Sequence, residues 1–210
     1  MTDCVLALMT RAPIAGQAKT RLIPRLGPEG AAILHGRLTR HALATARESG
    51  VGPMQLWRTP AANNAFLSRA AADFGASLFA QPEGDLGERM LAVFRARGAA
   101  PLLLMGTDAP IISPQTLREC ADALREGEDA VFLPAEDGGY ALIGLQKPRP
   151  ELFDDMRWSV ATVMAETRRR LGGLGLRWRE PATVWDVDQP EDVDRLMAAG
   201  LLSGWPPPRT

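Results

Sequence analysis

Cysteine, histidine and tyrosine are scarce in this chain: two, two and one among 210 residues. Cys4 and Cys120 cannot make a disulfide framework, so a reducing compartment, the cytoplasm, is expected. His35 and His41 stand six positions apart, off the i, i+4 spacing of a helix face and without a cysteine or histidine partner. A histidine metal centre is therefore not expected. Long apolar runs are missing too. Val5 to Met9 is too short for the core of a signal peptide, and nothing approaches the roughly 18 apolar residues of a membrane span. Neither sign of charge dominates: 24 Lys and Arg stand against 25 Asp and Glu, a formal net charge of -1. That balance argues against a dedicated nucleic-acid binder. No Gly-x-Ser-x-Gly elbow or Ser-His-Asp order is present, which removes the serine hydrolases. What is present is ample apolar material, 46% of residues. A chain of this length removes roughly 70% of its unfolded surface from water on folding, so its core needs no disulfide or structural metal.

The pattern alternates strand and helix. Apolar runs at Cys4–Met9, Met54–Trp57, Ser77–Ala80, Pro101–Met105, Ala130–Leu133, Tyr140–Leu145 and Leu176–Arg179 read as strands. Between them fall helices. One runs from Pro28 to about Ser49, and one from a Thr59-Pro60 cap to Gly75. Another carries Leu86, Met90, Val93 and Phe94 and ends at Gly98. A fourth is capped by Ser113-Pro114, a fifth carries Val160, Val163, Met164, Thr167 and Leu171, and the last spans Pro190 to Ala199. Cys120 lies on the apolar face of the fourth and reads as inert packing. Arg168, Arg169 and Arg170 read as a solvated helix face. This alternation predicts an α/β fold, a three-layer α/β/α sandwich around a mostly parallel sheet. Residues 1–203 read as one domain and 204–210 as a proline-rich tail. In such sheets ligands collect at the carboxyl ends of the strands. The loops beginning at Thr10, Gln81, Gly106 and Asp186 share that edge if their strands are parallel. The loop at Pro134, a hairpin or a crossover, has an undecided side.

All five of these loops hold residues with chemistry. Through Arg25 the chain holds four cations, Arg11, Lys19, Arg21 and Arg25, against the single acid Asp3, and Gly16 in the first loop lets backbone N–H groups approach an anion. That loop reads either as a phosphate-binding loop or as a solvated basic loop. It is not a Walker A loop, because Gly16 is not adjacent to Lys19 and Pro24 interrupts the following helix. Asp108, at the end of the most apolar strand, is placed either for a divalent cation or for a turn. Asp186 and Asp188 share a face of an extended segment, and spacing alone slightly favours Asp188 as the cap of the last helix. Asp137, Gly138, Gly139 and Tyr140 form either a tight turn or a substrate contact. Gly84, Gly87 and Arg89, two glycines leading into a helix start, carry the same pair of readings.

Arg11 to Leu22, Gly84 to Met90, Gly106 to Pro110, Asp137 to Tyr140, Trp158-Ser159 and Asp186 to Asp192 follow one another across nearly the whole chain. Together they resemble a bacterial family of nucleotide-diphospho-sugar transferase-like domains with the Rossmann-like glycosyltransferase-A fold. It is also labelled radical-SAM/selenodomain-associated transferase, and is related to 2-phospho-lactate guanylyltransferases and molybdopterin nucleotidyltransferases. The resemblance implies a nucleotide site at Arg11, Gly16, Lys19, Arg21, Gly84, Gly87 and Arg89. It implies Mg²⁺ or Mn²⁺ on Asp108 and Asp188, with Asp186 as the lesser choice. Lys19 and Asp108 then carry catalysis, and the acceptor lies at Asp137, Gly138, Gly139, Tyr140 and Trp158. Expected partners are a nucleotide and a small acceptor, with no nucleic acid and no membrane. The expected activity is nucleotidyl transfer from a triphosphate, because a cluster of cations suits its charge. Glycosyl transfer from a sugar nucleotide is the alternative. A non-catalytic nucleotide-binding module is a third reading, disfavoured because both metal carboxylates are present.

Overall fold

Val5, Leu6, Ala7 and Leu8 are all buried, as expected of a strand covered on both faces. They lie in β1 (Val5–Arg11), in a computed structural model that describes residues 4–59, 63–96 and 100–202. After β1 the chain forms α1 (Ile23–Ser49), β2 (Met54–Thr59), α2 (Ala65–Phe74), β3 (Ser77–Ala80) and α3 (Leu86–Ala96). It continues through β4 (Leu102–Met105), α4 (Pro114–Arg125), β5 (Ala130–Pro134), β6 (Tyr140–Leu145), α5 (Val163–Gly173), β7 (Trp178–Arg179) and α6 (Pro190–Ala199). The strands form one sheet in the order β3-β2-β1-β4-β6-β5-β7. β6 runs against both of its neighbours, β4 and β5, and every other pairing is parallel. β5–β6 is therefore a hairpin, and β5 points the same way as β4. Its loop at 135–139 joins those after β1, β3 and β4 at the carboxyl edge.

The sheet is the middle layer. Leu6 and Leu8 face α1, α2 and α4 through Leu43, Leu67, Leu117 and Cys120. Val5 and Ala7 face α3 and α5 through Met90, Phe94, Met164 and Leu171. A third cluster joins Leu22, Leu34 and Leu38 to Trp185, Val187, Val193 and Leu196, so α6 closes onto the start of α1. β6 is squeezed between two neighbours at Gly144. A Cβ there would lie 2.5 Å from both Leu103 and Val131 side chains.

Several element ends differ from the sequence reading, each for a local reason. α1 is two helices merged at Gly27, whose φ of 71° is non-helical. Pro28 does open the long uninterrupted part. α2 is capped by Asn64, whose side chain accepts from the Leu67 N–H. Thr59 is instead the last residue of β2, paired with Arg11, and Pro60 lies outside the described residues. Val160 precedes α5 rather than belonging to it, because Ser159 takes a φ of 61° and breaks the turn. β7 is shorter than expected: Leu176 lies outside it and packs in the core. Arg170 is not a solvated residue: it donates to the carbonyls of Glu151 and Asp154 as well as pairing with Glu166. Gly98, Asp3 and the 204–210 tail lie outside the described residues. Among the described residues, no helix is long and apolar enough to cross a membrane.

Candidate functional site

Two hollows meet at Asp108 on the carboxyl edge. A cleft of about 320 Å³ is lined by Arg11, Lys19, Arg21, His35, Asp108 and Asp188, together with Gln17, Ala18 and Thr20. Beside it a cavity of about 410 Å³ reaches inward under β1, β4 and β6. Its mouth holds Asp108, Asp137 and Asp186, and its walls include Met9, Met90, Leu104, Tyr140, Ile143 and Trp158.

The first loop leaves β1 and turns at Gly16, whose φ is 77°, then at Lys19, whose φ of 49° is uncommon for a residue with a side chain. That turn sends the Lys19 side chain inward, where it is only 6% exposed. Its Nζ lies 3.1 Å from Asp108 Oδ2 and 3.8 Å from Asp188 Oδ1, and it donates to the Val187 carbonyl at 2.5 Å. Arg21 pairs with the other oxygen of Asp188. The Val187 N–H donates to the Asp108 carbonyl at 2.9 Å. The acidic segment before α6 is thus stitched to the loop after β4. Asp188 is not the cap of α6, as spacing alone had favoured. Gln189 is the cap, and Asp192 at the third helical position completes a capping box, accepting from the Asp188 and Gln189 N–H groups at 3.0 and 2.6 Å.

The carboxylates differ in electrostatics. Burial pushes Asp108 up, but Lys19 and His35 outweigh it and hold the carboxyl well below the usual carboxylate range. Asp186 goes the other way. Burial, then the charge of Asp137, pushes it up to about 6 against the pull of Lys19. The Tyr140 phenol is raised by burial.

His35, set aside in the sequence reading, is part of this site. It is buried, and its Nε2 lies 2.9 Å from the Arg11 carbonyl. Its Nδ1 faces Asp108 Oδ1 at 3.6 Å. Thr10 links the ring to Thr39 and Thr107 through hydroxyl contacts of 3.1 and 3.2 Å. No local pattern advertises this position, because the partner carboxylate is far along the chain and His35 itself reads as one apolar-face residue of a helix. Glu136 was missed likewise. It takes both arms of Arg195 at 2.7 and 2.9 Å, tying the β5–β6 loop to α6.

The structure gathers Arg11, Lys19, Arg21, Asp108 and Asp188 in the cleft. In the cavity it gathers Asp108, Asp137, Gly139, Tyr140 and Trp158. Gly16, Gly84, Gly87, Arg89 and Gly138 line neither. Gly84 and Arg89 belong to the start of α3. There Asp85 and Glu88 each accept from the other's N–H, and Arg89 Nε donates to the Gly84 carbonyl. Gly87 makes room for Trp158, whose ring would lie 2.7 Å from a Cβ at that position. Gly138, at a φ of 90°, would put a Cβ 2.0 Å from the Ala161 carbonyl oxygen. Its own carbonyl accepts from the Met164 N–H at the start of α5. Asp137 accepts from the Gly139 N–H at 2.8 Å, so this loop is a tight turn and a cavity wall at once.

A sequence profile described as "Uncharacterized protein conserved in bacteria (DUF2064)" matches residues 42–160, more than half of the chain. The chain belongs to this family. No curated protein matches it in sequence. Solved structures do match in fold. A candidate nucleotide-diphospho-sugar transferase from Desulfovibrio desulfuricans G20 has a TM-score of 0.85 at 27% identity, over 95% of this chain and 88% of that one. A nucleotidyl transferase from Methanothermobacter thermautotrophicus has a TM-score of 0.65 at 16% identity, over 95% and 98%. Glucosyl-3-phosphoglycerate synthase from Mycobacterium tuberculosis, solved with Mn²⁺, uridine diphosphate and glucosyl-3-phosphoglycerate, has a TM-score of 0.55 at 10% identity, over 95% and 77%. By fold this DUF2064 chain belongs with the transferases of the glycosyltransferase-A type.

Proposed function

We propose that this DUF2064 protein is a divalent-metal-dependent transferase that moves a nucleotidyl group from a nucleoside triphosphate to a small acceptor. One observation carries the reading. The cations of the first loop, Arg11, Lys19 and Arg21, line one cleft with Asp108, which also opens on the neighbouring cavity. Phosphates in the cleft and an acceptor in the cavity would meet at that carboxylate.

Asp108 suits a cation: its Oδ1 is buried and has no hydrogen-bond partner. Asp188 suits one less well, because Lys19 and Arg21 already engage its two oxygens. Its work is to hold those two cations in the cleft. Among the described residues no three His, Cys, Asp or Glu side chains form a complete metal cage. One or two carboxylates with substrate phosphates is the usual arrangement for Mg²⁺. When bound, the metal would neutralise charge developing on the phosphates. The protein's own part is electrostatic and positional. Arg11 and Arg21, exposed at the rim, meet the phosphate chain. Lys19 holds Asp108 ionised and adds charge at the floor. The cavity wall of Tyr140 and Trp158 excludes water from the acceptor's side.

The test is a screen of nucleoside triphosphates with Mg²⁺ or Mn²⁺ and small acids and alcohols, phosphorylated ones included, as acceptors, assayed for pyrophosphate. Turnover releasing pyrophosphate is expected, and Lys19→Ala should lower kcat and kcat/KM together. A second reading has its own support in the likeness to the fold of the synthase solved with uridine diphosphate and glucosyl-3-phosphoglycerate, and in a cavity roomy enough for a sugar. If a sugar nucleotide is converted to its nucleoside diphosphate while triphosphates bind weakly, glycosyl transfer replaces the first reading.

A further inference from the structure

We infer that His35 is a second protein ligand for the divalent cation, binding through Nδ1 beside Asp108 Oδ1 and giving the site a preference for transition-metal ions over Mg²⁺. The inference rests on the metal-dependent reading above and adds a nitrogen donor to it.

Four observations converge. His35 is only 5% exposed, so its polar atoms have no bulk water to fall back on. Its Nε2 lies 2.9 Å from a backbone carbonyl, that of Arg11. A carbonyl only accepts, so Nε2 carries a proton and donates it. Nδ1 then presents either a lone pair or a second proton toward Asp108, and a binding cation takes the place of that proton. Nδ1 and Asp108 Oδ1 are both buried and both lack a hydrogen-bond partner, and they face each other at 3.6 Å. A nitrogen and a carboxylate oxygen facing one another across a short gap call for something positive between them, a proton or a metal ion that displaces it. Metal–nitrogen and metal–oxygen bonds of about 2.1 Å each together exceed that gap, so one ion reaches both atoms.

The surroundings fit a ligating histidine. Such residues donate their second ring N–H to a carbonyl or carboxylate, which fixes the ring's tautomer and orientation. Here the carbonyl of Arg11, at the end of β1, accepts that N–H from His35 Nε2. Thr10, with Thr39 and Thr107 behind it, packs polar atoms on the same edge. Asp108 uses its two oxygens separately. Oδ2 takes Lys19, and Oδ1 is left for the ion, so Lys19 stays in place when the ion binds. An imidazole nitrogen is a softer donor than carboxylate or water, and it suits first-row transition ions better than Mg²⁺.

The probe is Mn²⁺ itself, titrated into the full chain and followed by electron paramagnetic resonance. Pulsed measurements on the bound ion then report directly coordinated ¹⁴N. The expected result is a ¹⁴N coupling in the wild type, lost in His35→Gln. Glutamine keeps an N–H in reach of the Arg11 carbonyl but has no atom in place of Nδ1. Mn²⁺ affinity should fall about 10–100-fold in this variant, and the Mn²⁺-over-Mg²⁺ preference with it. The other histidine, His41, is engaged with the Pro110 carbonyl, and His41→Gln should keep the coupling. If His35→Gln does not fold, the wild-type and His41→Gln spectra decide. Mn²⁺ bound without ¹⁴N coupling overturns the inference but leaves the metal reading standing. No Mn²⁺ binding by the wild type overturns both.

Discussion

Asp186 sits in the mouth of the cavity with its carboxyl pushed up to about 6, first by burial and then by Asp137. In the unfolded chain the same group titrates near about 3.9. Between those values the folded protein keeps a proton that the unfolded chain has lost. The stabilising contribution is full below about pH 4 and disappears as pH rises through 6. At neutral pH the folded chain therefore holds an unwelcome charge. Asp186→Asn should raise stability there by about 1 kcal/mol, after allowing for solvent screening at a partly open site. That is about 2–4 °C in Tm for a chain of this size. Melts of both proteins from pH 4 to 7.5 check this. The gap should open with rising pH, and a constant gap would show that burial of this carboxyl is not the cause. The sequence could place Asp186 and Asp188 on one extended segment, but not tell which faced the loop cations. That choice depends on Lys19 turning inward through a left-handed backbone, which no spacing rule announces. His35 was illegible for a similar reason. Its partner carboxylate, Asp108, lies far along the chain in the loop after β4, and a lone histidine on a helix has no local signature.

At the scale of the helix ends, Gln189 caps α6 and Asp192 answers it in a capping box, while Asp188 turns to the loop cations instead. Asp192→Ala should cost about 1 kcal/mol, the worth of a lost capping-box partner, and Asp188→Ala should lower stability only through its ion pairs with Lys19 and Arg21, a loss that high salt reduces. An Asp188→Ala loss by chemical denaturation in urea that is unchanged in high salt would return Asp188 to the capping role. α3 offers a second case. Gly87 reads as a flexible glycine near a phosphate, yet it has no positive φ and serves to seat Trp158. Gly87→Ala should cost about 1–3 kcal/mol by overpacking and change the tryptophan fluorescence. An unaltered emission spectrum with full stability would mean that the indole has room to spare. Helix and strand positions were legible because burial imposes a period on them. Residues such as Met90, Phe94, Leu117 and Leu124 fall where that period requires. The ends that moved, at Asn64 and Ser159, are decided by single side-chain or backbone bonds that leave no periodic trace.

At the scale of the whole molecule, the strand–helix alternation was enough to anticipate a mostly parallel sheet. It could not anticipate β6, which runs backwards between β4 and β5 and brings Asp137 to the carboxyl edge through a hairpin. The integrity of the core has a direct chemical readout. Cys4 and Cys120 are both fully buried, and burial pushes the Cys120 thiol up to about 12. A thiol reagent should leave the native protein unlabelled and modify both residues in denaturant, at a rate that tracks unfolding. Rapid labelling of either one under native conditions would show that its face of the sheet opens locally.

The contacts that wall the cleft are also among the most distant along the chain. Lys19, Arg21 and Arg25 bond to Val187, Asp188 and Asp194, at separations of 167 to 169 residues. During its synthesis the polypeptide therefore has all seven strands off the ribosome before it has the segment that seats Lys19. A growing chain stopped just short of Trp185 would carry the sheet and the basic loop, yet leave that loop's cations without their carboxylate anchor. The cleft is completed late and abruptly, so on the proposed reading an incomplete polypeptide has little means of capturing a nucleotide.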